Sequence, residues 1–271
     1  MPRATVRDGV ELFYEDLGEG PTVVLIHGGL MSHRVWEMQV TALLDSGHRV
    51  VAPDLRGHGC SAKPVSPYTA EMHAADLEAL RTTLGVDEWG FVGWSLGATV
   101  ATAYVATHPE RLTHLALVST GIFAGMAPSV DDGSDDNGLD VEVLLDQQRI
   151  GRPAGVAAYV DRMFGGNPDE WTKEWLWGIA METPLRVALK TLDIYRDPDY
   201  DAMARTLSSL LVPGAVFHGA RDGAAPLSAA ERVADEVFAD GRFVPFEASG
   251  HVPFLTESVR FNERLLAFLE E

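Results

Sequence analysis

The pentapeptide Gly93-Trp94-Ser95-Leu96-Gly97 lies between an apolar run with strand character, Trp89 to Val92, and a run with helical character, Ala98 to Ala106. A chain that passes from strand to helix in so few residues must turn sharply, which forces the residue at the apex into a strained backbone conformation. Such a turn leaves no room for side chains two positions to either side of the apex, and glycine stands at both. The apex serine is then exposed beside a helix N-terminus, where unpaired backbone N–H groups point at any negative charge that develops. A serine so placed is a candidate nucleophile. In a chain with 26 glycines the pattern also arises by chance, so the rest of the chain has to decide.

Segments of strand and helix character alternate around this turn. Thr5 to Val6 and Val10 to Leu17 alternate as a hairpin about Asp8-Gly9. Thr22 to Ile26 is a continuous apolar run, as a strand buried on both faces requires. Val35 to Leu44 has helical spacing, Arg49 to Ala52 reads as a strand, Thr69 to Leu84 as an amphipathic helix and Leu112 to Val118 as a strand. Further on, Val212 to His218 and Arg242 to Phe246 read as strands about a helix from Ser228 to Phe238, and Thr256 to Leu269 closes the chain as a helix. This order predicts an α/β fold with a mostly parallel sheet flanked by helices.

One stretch breaks the rhythm. It opens on small residues and an acidic run, Asp131 to Asp136, and continues with helical patterns at Val141 to Arg149, Ala154 to Phe164, Glu170 to Met181 and Pro184 to Tyr195. That is too long for a connection. It reads as a helical cap, residues 122–205, inserted into a core formed by 1–121 and 206–271. The acidic run lacks the glycine that a calcium loop needs at its sixth position and reads as a solvated loop.

Composition narrows the partners. With 271 residues and 46% hydrophobic content, the chain suits one domain with an insertion. Lys and Arg number 21 against 40 Asp and Glu, a net charge of -19. That argues against nucleic acid and anionic membrane and favours uncharged or cationic ligands. Adaptation to salt would produce an acidic surface too. The single cysteine, Cys60, excludes an internal disulfide and a cysteine-rich metal site. The start, MPRATVRDGV, has no apolar signal core, so a cytoplasmic location is expected.

A serine nucleophile needs a base, and the base needs a carboxylate to orient it. Of the nine histidines, His251 stands in a turn between the last strand and the last helix. Asp222 stands in the loop that leaves the strand ending at His218, with Glu247 as its rival. The alternative reading of Asp222 is a turn-former beside Arg221 and Gly223. Gly57-His58-Gly59-Cys60-Ser61-Ala62 formally fits a dinucleotide-binding loop. Lys63-Pro64 and Pro67 follow it, however, where that site requires a helix. No motif calls for a metal or cofactor, and none is expected.

The order Ser95, Asp222, His251 is that of an α/β-hydrolase, and the chain resembles that superfamily along almost its whole core. His27-Gly28-Gly29 after the first apolar strand is similar to the family's oxyanion loop. The segment Asp54 to Ser61 resembles its D-x-R-G-x-G-x-S pattern, His108-Pro109-Glu110-Arg111 the end of its elbow helix, and Gly250-His251 with Pro253-Phe254 its histidine loop. The resemblance implies a Ser95, His251, Asp222 triad and an oxyanion hole made by the backbone N–H groups of Gly29 and Leu96. It makes His27, His58 and Asp54 loop-bracing residues, and His218 reads as a satisfied core histidine.

A serine at the elbow, where members that displace halide or open epoxides carry aspartate, favours acyl transfer. The expected activity is hydrolysis of carboxylic esters or lactones. A perhydrolase of the non-haem haloperoxidase kind, or a C–C bond hydrolase, would use the same residues, and a slow-turnover receptor would keep the same fold. Met163, Phe164, Trp171, Trp175, Trp177 and Met181 either form the cap's own core or line an apolar pocket. The pocket residues expected are Leu30, Trp94, Phe123, Phe164, Trp175 and Val252, around a small uncharged substrate.

Overall fold

The computed structural model describes residues 2–65, 67–120, 141–166, 169–196 and 199–271. Among them eight strands form one sheet: β1 (Arg3–Thr5), β2 (Glu11–Leu17), β3 (Thr22–Ile26), β4 (Arg49–Pro53), β5 (Trp89–Trp94), β6 (Leu112–Val118), β7 (Gly214–Gly219) and β8 (Gly241–Phe246). The spatial order is β1-β2-β4-β3-β5-β6-β7-β8. β1, β2 and β4 pair antiparallel, and β3 to β8 run parallel. The first hairpin turns at Asp8 and Gly9, both at positive φ, as an Asp-Gly pair favours.

The parallel strands carry continuous apolar runs because helices cover both faces. Along β3, Val24 and Ile26 enter one core layer while Val23 and Leu25 enter the other. Each such side chain stabilises the fold by about 1.5–3 kcal/mol relative to leaving it exposed. The helices around the sheet are α1 (Glu37–Asp45), α2 (Ala70–Leu84), α3 (Leu96–Val105), α9 (Leu227–Arg232), α10 (Pro253–Thr256) and α11 (Ser258–Leu269). α2 begins where Thr69 Oγ1 accepts the Met72 N–H at 3.2 Å and ends on the left-handed Gly85.

Between β6 and β7 come α4 (Val141–Ile150), α5 (Arg152–Arg162), α6 (Glu170–Glu182), α7 (Leu185–Asp193) and α8 (Tyr200–Ser208). The first four match the helical patterns of the sequence. α8 is a helix the sequence reading did not anticipate. Its signal is local: Asp199 Oδ1 caps it by accepting the Ala202 N–H at 2.9 Å, and Met203, Leu207 and Leu210 pack into the core. The acidic run Asp131 to Asp136 lies outside the described residues.

Other differences are small and have physical causes. A short 3₁₀ turn, His33–Trp36, precedes α1. α3 starts directly at Leu96, because the apex serine itself is its N-cap. The helix expected from Ser228 to Phe238 gives way after α9 to a wider turn, Val233–Val237, where the Phe238 N–H bonds to the Val233 carbonyl at 3.0 Å.

The turn into α3 explains both glycines of the pentapeptide. A Cβ on Gly93 would sit 2.5 Å from the Gly97 carbonyl oxygen, and one on Gly97 would collide with the Ile26 carbonyl at the end of β3. Both obstacles are backbone and cannot swing aside. Gly97→Ala is therefore expected to lower stability by about 1–3 kcal/mol or more, the cost of overpacking a rigid site. Thermal unfolding of the variant checks this, and an unchanged melting temperature would contradict the close approach.

Candidate active site

The parallel strands end on one edge of the sheet, and the candidate residues sit just past three of those ends. Ser95 follows β5, Asp222 follows β7 and His251 follows β8. Ser95 adopts φ 53° and ψ -110°, a strained conformation for a residue with a side chain, costing about 1–3 kcal/mol. Bonds on both sides impose it. Its N–H donates to the Val118 carbonyl at 3.0 Å, and its carbonyl accepts the N–H groups of Ala98 and Thr99 at 2.9 and 3.2 Å.

His251 Nδ1 donates to Asp222 Oδ2 at 2.8 Å. Asp222 uses its other oxygen, Oδ1, to accept the N–H groups of Ala224 and Ala225 at 2.8 and 3.0 Å. Asp222 thus pairs with His251 through one oxygen and closes a turn with the other. Burial opposes charge on Asp222, but the charge and hydrogen bond of His251 outweigh it and hold the carboxyl below its usual range. Glu247, the rival, is exposed.

The loop that carries His251 is fixed at its backbone. The His251 N–H donates to the Met163 carbonyl at 2.8 Å, and the Trp94 indole Nε1–H donates to the His251 carbonyl at 2.8 Å. The residue before Ser95 thus holds the imidazole loop directly. The Ser95 hydroxyl does not itself close a hydrogen bond with His251 here. In apo sites such bonds are often long and tighten only with substrate.

Gly29 lies in the loop after β3, and its orientation follows from its neighbours. His27 Nε2 accepts the Leu55 N–H at 3.0 Å, so Nδ1 carries the proton and donates to the Gly28 carbonyl at 2.8 Å. A trans peptide points its N–H opposite to its C=O. The Gly29 N–H is therefore turned away from His27. Leu96 is the first residue of α3, so its N–H has no partner within the helix. Next in the loop, Leu30 is held at φ 62°.

Several buried polar residues brace this loop. Asp54 accepts the His33 N–H at 2.7 Å, His33 Nδ1–H at 2.8 Å and the Cys60 N–H at 2.6 Å. Arg56 forms a bidentate pair with Asp76 at 2.5 and 2.6 Å. His58 donates from Nδ1 to the Arg56 carbonyl at 3.0 Å. Residues 56–61 form turns and bends, and the next described helix after them begins at Ala70. His218 bonds through Nε2 to the Ala225 carbonyl at 3.0 Å, while its Nδ1 is buried without a partner among the described residues, so the expected core histidine is only half satisfied.

The inserted helices reach the same loop. Tyr159 donates to the Gly29 carbonyl at 3.1 Å, and Thr183 to the Leu30 carbonyl at 3.2 Å. No motif marks these two residues, because their partners are backbone atoms far away in sequence. Of the expected pocket residues, Leu30, Trp94 and Val252 are fully buried. Phe164 and Trp175 are half-buried against the same core layer, and Phe164 also borders a cavity of about 330 Å³ with Leu255 and Thr256. Trp171 is exposed, and Phe123 lies outside the described residues. Among the described residues no group of three or more His, Cys, Asp or Glu side chains is arranged to hold a metal ion. No described helix is long and apolar enough to cross a membrane.

Comparison with known proteins identifies the fold family. The family described as the alpha/beta hydrolase fold matches residues 21–258. A non-heme chloroperoxidase of Kitasatospora aureofaciens is 28% identical, covering 100% of both chains. Among solved structures, an esterase from Exiguobacterium antarcticum superposes with a TM-score of 0.88 at 25% identity, covering 99% of each chain. An enol-lactonase from Burkholderia xenovorans LB400 superposes with a TM-score of 0.84 at 26% identity, covering 100% of each chain.

Buried histidines make the fold sensitive to acid. Burial holds His27, His58 and His73 below the ordinary imidazole range, His58 down to about 3. Each binds a proton more readily when unfolded. Their contribution is therefore complete above the ordinary imidazole value of about 6.5 and is lost as pH falls toward 3. Unfolding free energy is expected to fall through that window. Neither ring nitrogen of His73 has a partner among the described residues, so His73→Leu is expected to keep the fold at pH 7 and flatten the slope. Denaturant melts across the pH series check this; an unchanged slope would refute it.

Proposed function

The chain belongs to the α/β hydrolase fold family, and we propose that it is a serine hydrolase of carboxylic esters or lactones. The observation that carries this reading is the Asp222–His251 pair at 2.8 Å, anchored through Trp94 beside a serine at φ 53°. Ser95 Oγ attacks the carbonyl carbon while His251 Nε2 takes its proton. Nδ1 is engaged with Asp222, which leaves Nε2 as the base and stabilises the imidazolium that forms. The carbonyl π pair moves onto oxygen, and the Gly29 and Leu96 N–H groups donate to that oxyanion. Collapse expels the alkoxide, which takes the proton from His251. Water, deprotonated by the same imidazole, then adds to the acyl-enzyme, and collapse expels Ser95 Oγ, which takes the proton back from His251 as the acid leaves.

No step of this scheme draws on a metal or a cofactor. We assign 1–121 and 206–271 to the core and 122–205 to a cap that sets substrate range. The net charge of -19 favours a small uncharged substrate. The likeness to a non-heme chloroperoxidase supports a second outcome at deacylation, in which hydrogen peroxide replaces water and a peracid leaves.

Ser95→Ala is expected to lower turnover of a chromogenic ester by about 10⁶-fold while the melting temperature holds. Activity within tenfold of wild type would defeat the assignment. Asp222→Asn is expected to cost about 10⁴-fold by favouring the wrong imidazole tautomer. Glu247→Gln, outside the proposed unit, is expected to change turnover by less than about tenfold. The opposite ranking in steady-state assays would mean that the orienting carboxylate is Glu247.

A further inference from the structure

Among the described residues, buried hydroxyls without a hydrogen-bond partner include Thr99 Oγ1 on α3 and Tyr195 Oη just past α7, both near Ser95, and Thr191 Oγ1 on α7, near Gly29. Buried polar groups are almost always paired. Orphans beside the nucleophile and its neighbouring loop mark a place where a bound molecule supplies the acceptors. The Tyr195 hydroxyl lies near those of Ser95 and Thr99 but closes a hydrogen bond to neither. It also lies near Tyr159, but that phenol is already committed to the Gly29 carbonyl. Thr191 flanks the same loop, since its Cγ2 lies 3.5 Å from where a Gly29 Cβ would be.

Of the three, Tyr195 is the one whose hydroxyl has no local alternative. A helical threonine can turn its hydroxyl to the carbonyl one turn back, whereas a phenol reaches only outward from its ring. Burial pushes the Tyr195 pKa up to about 12. The group is thus a neutral donor throughout the working range.

The side of the site on which it stands follows from the anchors. His251 reaches Ser95 from the loop after β8, tied to Trp94, and the leaving alcohol must lie with the imidazole that protonates it. Tyr195 stands on the Thr99 side, one turn into α3. We propose that Tyr195 is a substrate-binding donor facing the acyl half of the substrate, and that it selects acyl groups with an oxygen acceptor a few bonds from the ester carbonyl.

This assignment rests on the acyl-enzyme reading at Ser95. The test uses two 4-nitrophenyl esters of equal length, the methoxyacetate and the butyrate, in which an ether oxygen replaces a methylene. In the full chain, Tyr195→Phe is expected to lower kcat/KM for the methoxyacetate by about five- to tenfold, the worth of one neutral hydrogen bond. It is expected to change kcat/KM for the butyrate by less than about twofold, since no hydrogen bond to that acyl chain is lost. The melting temperature is expected to hold or rise, because the hydroxyl removed has no partner.

Parallel loss on both esters with a lowered melting temperature would make Tyr195 a packing residue and overturn the proposal. No change on either ester would overturn it as well. Loss of hydrolysis of both esters in Ser95→Ala checks the underlying reading separately. A wild-type chain that turns over neither ester would sink both.

Discussion

The first turn of α3 lies in backbone contact with the end of β3, with Gly97 against the Ile26 carbonyl and Gly93 against Gly97. β3 and β5 are parallel neighbours, paired Ile26 to Gly93. The chain leaving β3 therefore emerges beside the chain leaving β5. Only when both positions lack side chains can the helix start so close to the strand. That closeness puts Leu96, at an N-terminus rich in unpaired N–H groups, next to the loop that carries Gly29. The proposed nucleophile and both proposed oxyanion donors depend on this one approach of backbone to backbone.

Holding that geometry requires polar groups to be buried, and a buried polar group costs free energy unless it is paired. The pairing is done by segments that have no chemistry of their own to perform. His27 uses both ring nitrogens, one on Leu55 and one on Gly28. Asp54 gathers His33 and Cys60, and Arg56 is closed by Asp76. Imidazoles held this deep stay neutral at pH 7, and a neutral ring with one donor and one acceptor is what the His27 position needs. The same burial makes these groups a liability in acid. Loop precision and acid sensitivity thus share one cause.

The inserted helices are part of the same arrangement. Tyr159 and Thr183 hold the carbonyls of Gly29 and Leu30, and the Met163 carbonyl holds the His251 N–H. A segment proposed to set substrate range also positions two of the loops that would do the chemistry. Substitutions in it can change turnover as well as selectivity, because a carbonyl released from its donor frees the peptide that carries it.

Much of this was legible along the chain because it rests on neighbours in sequence. The alternation of apolar runs with amphipathic segments determined the α/β layering, since parallel strands buried on both faces must be apolar throughout. The pentapeptide determined a strand-to-helix turn, since only glycine tolerates the crowding beside Ser95. Asp199 with Met203 and Leu207 carried the signal of α8, but the run is short and no contact seen in sequence separates it from loop. Tertiary structure decided what depends on distant contacts. Asp222 and Glu247 are both carboxylates past a strand end; the fold buries one against His251 and leaves the other exposed. Trp94 reads as a pocket wall in sequence, yet its indole holds the His251 loop, 157 residues away along the chain. Tyr159, Thr183 and Tyr195 carry no motif at all. A hydroxyl's role is set by what it faces across the fold, and side chains of one type are indistinguishable until packing gives each a partner or leaves it without one.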